Sequence, residues 1–259
     1  HGVFSSQPAP AGREVQSAKV AANISTEPEG GWVDNRDTFM KAIDGMPYGS
    51  SRAQGIVRDN RFYHADMGIT MAFPRGWHID NEHDRILAYT RNKDAIMQIT
   101  TAPRPEKKAP REFLLGELRG ASIARGQELS VNGMEGYTLI TTRGSPLDGG
   151  NGPVRWAVLY RDKSAFIFGG ASRSGTAGLP ADDGLFQSSV QTMRSLKPSE
   201  YPLAQPYRLK VIQADEKTKL ADYAKNVPVN KYQKEELLLL NGLYPDGKVK
   251  PGQYLKVVE

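Results

Sequence analysis

The 259-residue chain contains no cysteine. That removes disulfides, thiolate metal sites and cysteine nucleophiles together, and leaves the compartment open. No run approaches the roughly eighteen apolar residues that a membrane-spanning helix needs. The densest apolar cluster, Leu237 to Leu240, is a single helical turn. Histidine is scarce, with four in the chain, and none belongs to an HExxH motif. Zinc proteolysis on a helix needs that motif, which puts two histidines on one face beside a glutamate that activates water. The chain begins with His1 and shows no charged-then-apolar leader. The expectation is a removed targeting segment or an internal piece of a longer protein.

What is present is ordinary for a folded chain, with 39% hydrophobic and 24% charged residues. The formal net charge is +5. The basic residues are dispersed among acids, and the densest group, Arg104 to Arg111, is broken by prolines. Nucleic-acid binders concentrate such charge on one face, so no nucleic-acid partner is expected.

Residues 1–36 are polar and rich in Ala, Ser and Pro, and read as a tail or linker. A short helix follows over Asp37 to Ile43, broken by Gly45, Pro47 and Gly49. From Gly55 the apolar period becomes two, and Met67, Ile69, Met71 and Phe73 mark a strand with one buried face. Further strands are predicted over Arg85 to Thr90, Ala95 to Thr101, Gly136 to Thr142, Val154 to Arg161 and Ser164 to Ala171. Asn92-Lys93-Asp94 and Asp162-Lys163 form the hairpin turns. Helices are predicted over Pro110 to Gly120 and Asp183 to Leu196, the latter capped by Asp182 or Asp183. An antiparallel sheet flanked by helices, over residues 37–198, is an α+β sandwich. Three prolines in the nine residues from Pro198 to Pro206 mark a linker over 199–206. Residues 207–259 then read as a separate β-α-α-β module.

Candidate chemistry is thin. His78 and His83 with Asp84 sit across a turn that does not aim them together. Gly170-Ala171-Ser172-Arg173-Ser174 approaches a nucleophile elbow but lacks its last glycine. Asp182-Asp183 and Glu235-Glu236 are explained by capping and solvation. Trp77, Tyr137, Trp156, Phe166 and Phe168 alternate along strands and read as core, with a ligand groove on one sheet face as the alternative. No catalytic and no metal-ligating residue is assigned.

Three resemblances stand on particular residues. The order Ile43-Asp44-Gly45, Tyr48-Gly49, Gln54-Gly55-Ile56-Val57-Arg58, Phe62-Tyr63-His64 and Pro74-Arg75-Gly76-Trp77, with His1-Gly2-Val3-Phe4-Ser5-Ser6-Gln7-Pro8 before it, resembles the non-catalytic C-terminal part of bacterial envelope zinc metallopeptidases. These are HExxH relatives of the CaaX prenyl protease, peptidase family M forty-eight. That resemblance covers most of residues 1–80. It implies an upstream catalytic domain holding zinc, no cofactor in this chain, and a periplasmic or outer-membrane-associated setting. Gln7 stands where the family usually has a histidine thought to assist catalysis. Gly68 to Leu196, from strand through Pro-x-Gly-Trp to the late helix, resembles a PsbP-like sandwich, a fold whose members mostly bind proteins or act as scaffolds.

Pro206 to Val258 is similar to a LysM module, on Asn241-Gly242-Leu243 and Lys250-Pro251-Gly252-Gln253-Tyr254-Leu255-Lys256-Val257. LysM modules bind glycans containing N-acetylglucosamine, such as peptidoglycan. The resemblance implies a groove between Asp215, Glu216, Lys217 and Thr218 on one side and Asn241, Gly242, Leu243 and Tyr244 on the other. The family's Gly-Asp-Thr is replaced here by the 215–218 sequence. The resulting expectation is an accessory region that positions a metallopeptidase at peptidoglycan or on envelope proteins. The alternative is a protein-interaction scaffold without glycan binding.

Overall fold

A computed structural model describes residues 19–20 and 35–259, apart from 148, 174, 177, 230 and 231. The His1–Pro8 segment with Gln7 lies outside the described residues, as do Ser174, Lys231 and all of residues 13–23 except Lys19 and Val20. The chain divides into two units, His1–Ala42 and Ile43–Glu259. Helix α1, Arg36–Ile43, has Met40 buried and Phe39 exposed.

The strands of the second unit are β1 Pro47–Tyr48, β2 Ile56–Arg58, β3 Arg61–His64, β4 Ile69–Ala72, β5 His78–Asn81, β6 Ile86–Tyr89, β7 Ala95–Pro103, β8 Ile123–Val131, β9 Met134–Thr141, β10 Val154–Arg161, β11 Ser164–Ser172, β12 Gly175–Thr176, β13 Leu179–Pro180, β14 Arg194–Ser195, β15 Tyr207–Gln213 and β16 Tyr254–Val258. Its helices are α2 Pro110–Glu117, α3 Asp183–Gln191 and α4 Gln233–Leu240. The protein is α+β, and its sheets are antiparallel throughout the described pairings.

A seven-stranded sheet, in the order β5-β6-β7-β11-β10-β9-β8, forms the middle layer. Alternation along β7 sends Ala95, Met97 and Ile99 to one face, where Phe166 and Phe168 of β11 join them. This face is covered side by side by a four-stranded sheet, β14-β4-β3-β2, and by α3. The opposite face carries Tyr137, Leu139, Val158 and Tyr160, with Trp156 half-buried beside them, and is covered by Phe113 and Leu114 of α2. The late helix therefore shares its layer with a small sheet.

That helix ends at Gln191, five residues before the Leu196 expected from periodicity. Thr192 explains the stop. Its hydroxyl accepts the Ala72 N–H at 2.8 Å and donates to the Ser189 carbonyl at 2.7 Å. The next residues extend, and Arg194 and Ser195 pair with Thr70 and Ile69 of β4. Gly170 is needed by the same packing, because a Cβ there would lie 2.5 Å from the Phe186 ring.

Neither expected capping carboxylate bonds the first turn of α3. Asp182 instead accepts the Ser172 hydroxyl at 2.8 Å. Asp183 accepts two hydrogen bonds from Arg155 of β10, at 2.6 and 2.7 Å, with side-chain exposures of only 8% and 10%. Gln187 donates to the same carboxylate, and Arg155 also donates to Thr138. This ion pair binds α3 to the centre of the sheet.

Breaking a buried pair strands one charge, which costs about 3–5 kcal/mol. Asp183→Ala is expected to lose that much in urea denaturation. Arg155→Met combined with Asp183→Leu is expected to lose less than Asp183→Ala alone, because neither charge is then left unpaired. A loss for Asp183→Ala comparable to that of an exposed substitution would show that the pair does not hold the helix.

Candidate functional site

The C-terminal module is built on β15 and β16, paired from Leu209–Val258 to Gln213–Tyr254. Leu255, Val257 and Val258 are buried with Leu220, Val227 and Leu237 in a small core of their own. The first predicted helix of the module is a 3₁₀ helix, Leu220–Asn226, and the second is α4. Tyr232 has φ of +62°, a left-handed conformation, immediately before α4 begins at Gln233.

A third strand comes from the other end of the sequence. β1 pairs with Tyr207 and Arg208, placing residues 47–48 in the C-terminal sheet. Leu209 accepts from Gly45 N–H and donates to the Met46 carbonyl, each at 2.8 Å. Asp44 accepts the Val211 N–H at 2.8 Å, and that bond is the leading cause of its lowered pKa. Tyr48 packs against the module core and donates to Glu236 of α4 at 2.8 Å. Burial first, then the Glu236 carboxylate, pushes the Tyr48 phenol well above its ordinary pKa. Part of the Ile43 to Trp77 signature is thus a strand of the last module, reached from the far end of the chain.

The predicted linker is also structured. Pro198–Ala204 is a 3₁₀ helix with Ala204 fully buried. Arg58 donates to the Leu203 and Gln205 carbonyls at 2.9 and 3.2 Å. Glu200 takes two 2.7 Å hydrogen bonds from Arg194 and one from the Lys197 N–H. The Arg194 guanidinium, then the Lys197 amide, hold its carboxyl at about 2.

The two expected groove loops both lie on the surface of this module. Asp215 closes the first: its Oδ1 accepts the Thr218 hydroxyl at 2.6 Å and the Lys217 N–H at 2.9 Å. These bonds lower the Asp215 pKa, Thr218 contributing most. Glu216 and Lys217 stay exposed, and Thr218 is half-buried. The turn is therefore preorganised with two free side chains at its tip.

In the second loop, Asn241 has an internal role. Its amide donates to the Leu237 and Lys256 carbonyls at 2.9 and 2.8 Å and accepts the Lys256 N–H at 2.7 Å. It clamps β16 to the end of α4, leaving its side chain no free polar edge for a sugar. Gly242, with φ of +66°, turns the chain after it. Leu243 is half-buried against the module core, and Tyr244 is 55% exposed. Each loop is fixed by bonds to its own flank, and no hydrogen bond joins them among the described residues.

Elsewhere the candidate side chains for chemistry are apart or engaged. His78 on β5 stacks on Tyr89, while Asp84 pairs with Arg85. Among the described residues no group of three or more His, Asp or Glu is arranged to hold a metal ion. Ser172 accepts the Asp182 N–H and donates to its carboxylate, so it caps a turn. His64 is buried; its Nδ1 accepts the Met67 N–H and its Nε2 faces the Ala53 carbonyl at 3.1 Å, which fixes the neutral Nε2–H form. Burial lowers its pKa. No helix among the described residues is long and apolar enough to cross a membrane.

No family model matches the chain. No curated protein matches it. Among solved structures, it is similar to the cyanobacterial PsbP (CyanoP) of Synechocystis sp. PCC 6803, at 12% identity and a TM-score of 0.38, over 57% of this chain and 98% of that one. It is also similar to a Bacteroides thetaiotaomicron VPI-5482 protein, at 13% identity and a TM-score of 0.33, over 65% of this chain and 59% of that one.

Two predictions follow from these contacts. The folded protein resists protonation of His64, so stability is complete above the ordinary histidine value near 6.5 and falls as pH drops below it. Glu200, held low, contributes stability that is lost between its ordinary 4.5 and about 2. Thermal melts of His64→Gln are expected to flatten the first decline and leave the second. Asn241→Leu strands the Lys256 N–H and carbonyl of β16 and removes a bond to the Leu237 carbonyl of α4, and is expected to cost about 1–3 kcal/mol in chemical denaturation. A negligible loss would remove the clamp.

Proposed function

We propose that this chain is a non-catalytic accessory region of a bacterial envelope zinc metallopeptidase. Its job is positional: it holds an upstream catalytic domain at peptidoglycan or on envelope-protein substrates, in the periplasm or at the outer membrane. The PsbP-like sandwich and the LysM-like module are parts of this reading. The observation that carries it is the joining of residues 44–48 to the C-terminal sheet. In this reading the signature that resembles the metallopeptidase family is itself a component of the glycan-facing module's scaffold, so the segment leading from the catalytic domain is held to the binding module by backbone hydrogen bonds. The succession of strand, 3₁₀ helix, α-helix and antiparallel strand supports the LysM-like likeness. Zinc belongs to the upstream domain, and no step is routed through residues of this chain.

Glycan contact falls to the tip of the Asp215 turn and to Tyr244. Lys217 and Glu216 offer polar groups, and the exposed phenol offers a flat face for a sugar ring. Asn241 and Asp215 shape the loops.

A second reading rests on a separate observation. Tyr232, immediately before α4, and Leu239, in its last turn, are large apolar side chains left 71% and 58% exposed. A scaffold without glycan affinity would use these side chains for a protein.

Sedimentation of the purified chain with insoluble peptidoglycan tests the first reading. Retention above an inert control, reduced in Tyr244→Ala, is expected. Retention no greater than the control removes the glycan half. The scaffold reading instead expects Leu239→Asp to abolish capture of the separately purified upstream catalytic domain.

A further inference from the structure

Between the two packed sheets lies a cavity of about 130 Å³ that the positional role does not use. Its walls come from both layers: Phe62 of β3 and Met71 of β4 on one side, Ile99 of β7 and Phe168 of β11 on the other, with Met193 below. These five side chains are almost wholly buried. The mouth is polar, formed by the exposed loop Glu82 to Arg85 between β5 and β6. Arg85 is already occupied there, paired with Glu82 and Asp84 at 3.1 Å each. His64, also at the wall, has both ring nitrogens engaged with backbone groups.

An apolar interior does not hold water well. An engineered cavity of ~150 Å³ lined by Leu, Ile and Phe stays dry and admits benzene. The present cavity is of similar size and apolar within, with polar residues, Thr101 among them, towards its open side. It differs in having methionines in its wall, whose flexible and polarisable side chains adapt to the shape of an occupant.

We propose that this cavity is a binding site for a neutral apolar group of roughly benzene size. That group enters between the sheets past the Glu82–Arg85 loop, with any polar end left at the mouth. The shared chemistry fits two sources: a compact free molecule, or the end of an acyl chain. The proposal is independent of the glycan and metallopeptidase readings.

The chain supplies its own reporters. Of its seven methionines, Met67, Met71 and Met193 line the cavity, whereas Met40, Met46, Met97 and Met134 do not. The whole chain, labelled with ¹³C at its methionine methyls, is titrated separately with benzene and with sodium octanoate. Saturable movement of the Met67, Met71 and Met193 signals, with Met46 unmoved, is the expected result. Movement with octanoate assigns the site to an acyl chain, and movement with benzene alone assigns it to a compact molecule. Ile99→Phe fills the cavity, and its spectrum reports whether the fold is kept. In that variant, if folded, the movement is expected to disappear. No movement with either compound in the unaltered chain overturns the proposal. So does movement that is no greater at the three cavity signals than at the exposed Met46.

Discussion

The Arg155 guanidinium meets the Asp183 carboxylate through two short hydrogen bonds inside the layer between sheet and helix. Both groups have left water, and each is tolerable there because the other is present. Thr138 and Gln187 occupy further hydrogen-bonding positions around them. The pair fixes where α3 begins, and much of the remaining chain follows from that point. Phe186 enters the space above Gly170. Thr192 then meets the end of β4, and Arg194 starts the strand that completes the four-stranded sheet. Arg194 also holds Glu200, which sets the 3₁₀ helix leading to the C-terminal module.

A second constraint works from the opposite end of the chain. Asp44 to Tyr48 adds an edge strand to β15, and Tyr48 reaches α4 through Glu236. The guanidinium of Arg58 lies 4.1 Å from the Tyr207 ring centre and also holds the two carbonyls at the end of the 3₁₀ helix. Three segments far apart in sequence therefore converge where the sandwich meets the C-terminal module. The prolines at 198 and 202 belong to a 3₁₀ helix whose Ala204 is buried, so the proline-rich segment is regular structure.

The central hairpin was legible because local chemistry decides it. Val154–Arg161 and Ser164–Ser172 are mostly apolar runs buried on both faces, and Asp162 between them takes the positive φ that its turn needs. Phe113 and Leu114 fell on the buried face of α2 for the same reason. β8 left no such trace. It is an edge strand, largely exposed, and its pairing is irregular between Ala124 and Gln127. Helix α3 is shorter than its periodicity predicts because Val190 and Met193 keep helical spacing while Thr192 is bound to a strand distant in sequence. The expected groove residues were found on two surface loops, yet the clamp made by Asn241 was invisible, because its partner Lys256 is defined only by the fold. The addition of β1 to the last sheet, and the cavity between sheets, are long-range outcomes of the same kind.

In the proposed function, the 215–218 turn and the loop after α4 form the face through which the chain is held at a glycan. An amide NMR titration of the chain with an N-acetylglucosamine oligosaccharide tests this most directly. Saturable shifts gathered at residues 215–218 and 242–244 are the predicted result. A spectrum unchanged at saturating sugar, or shifts confined to the sandwich, would contradict it.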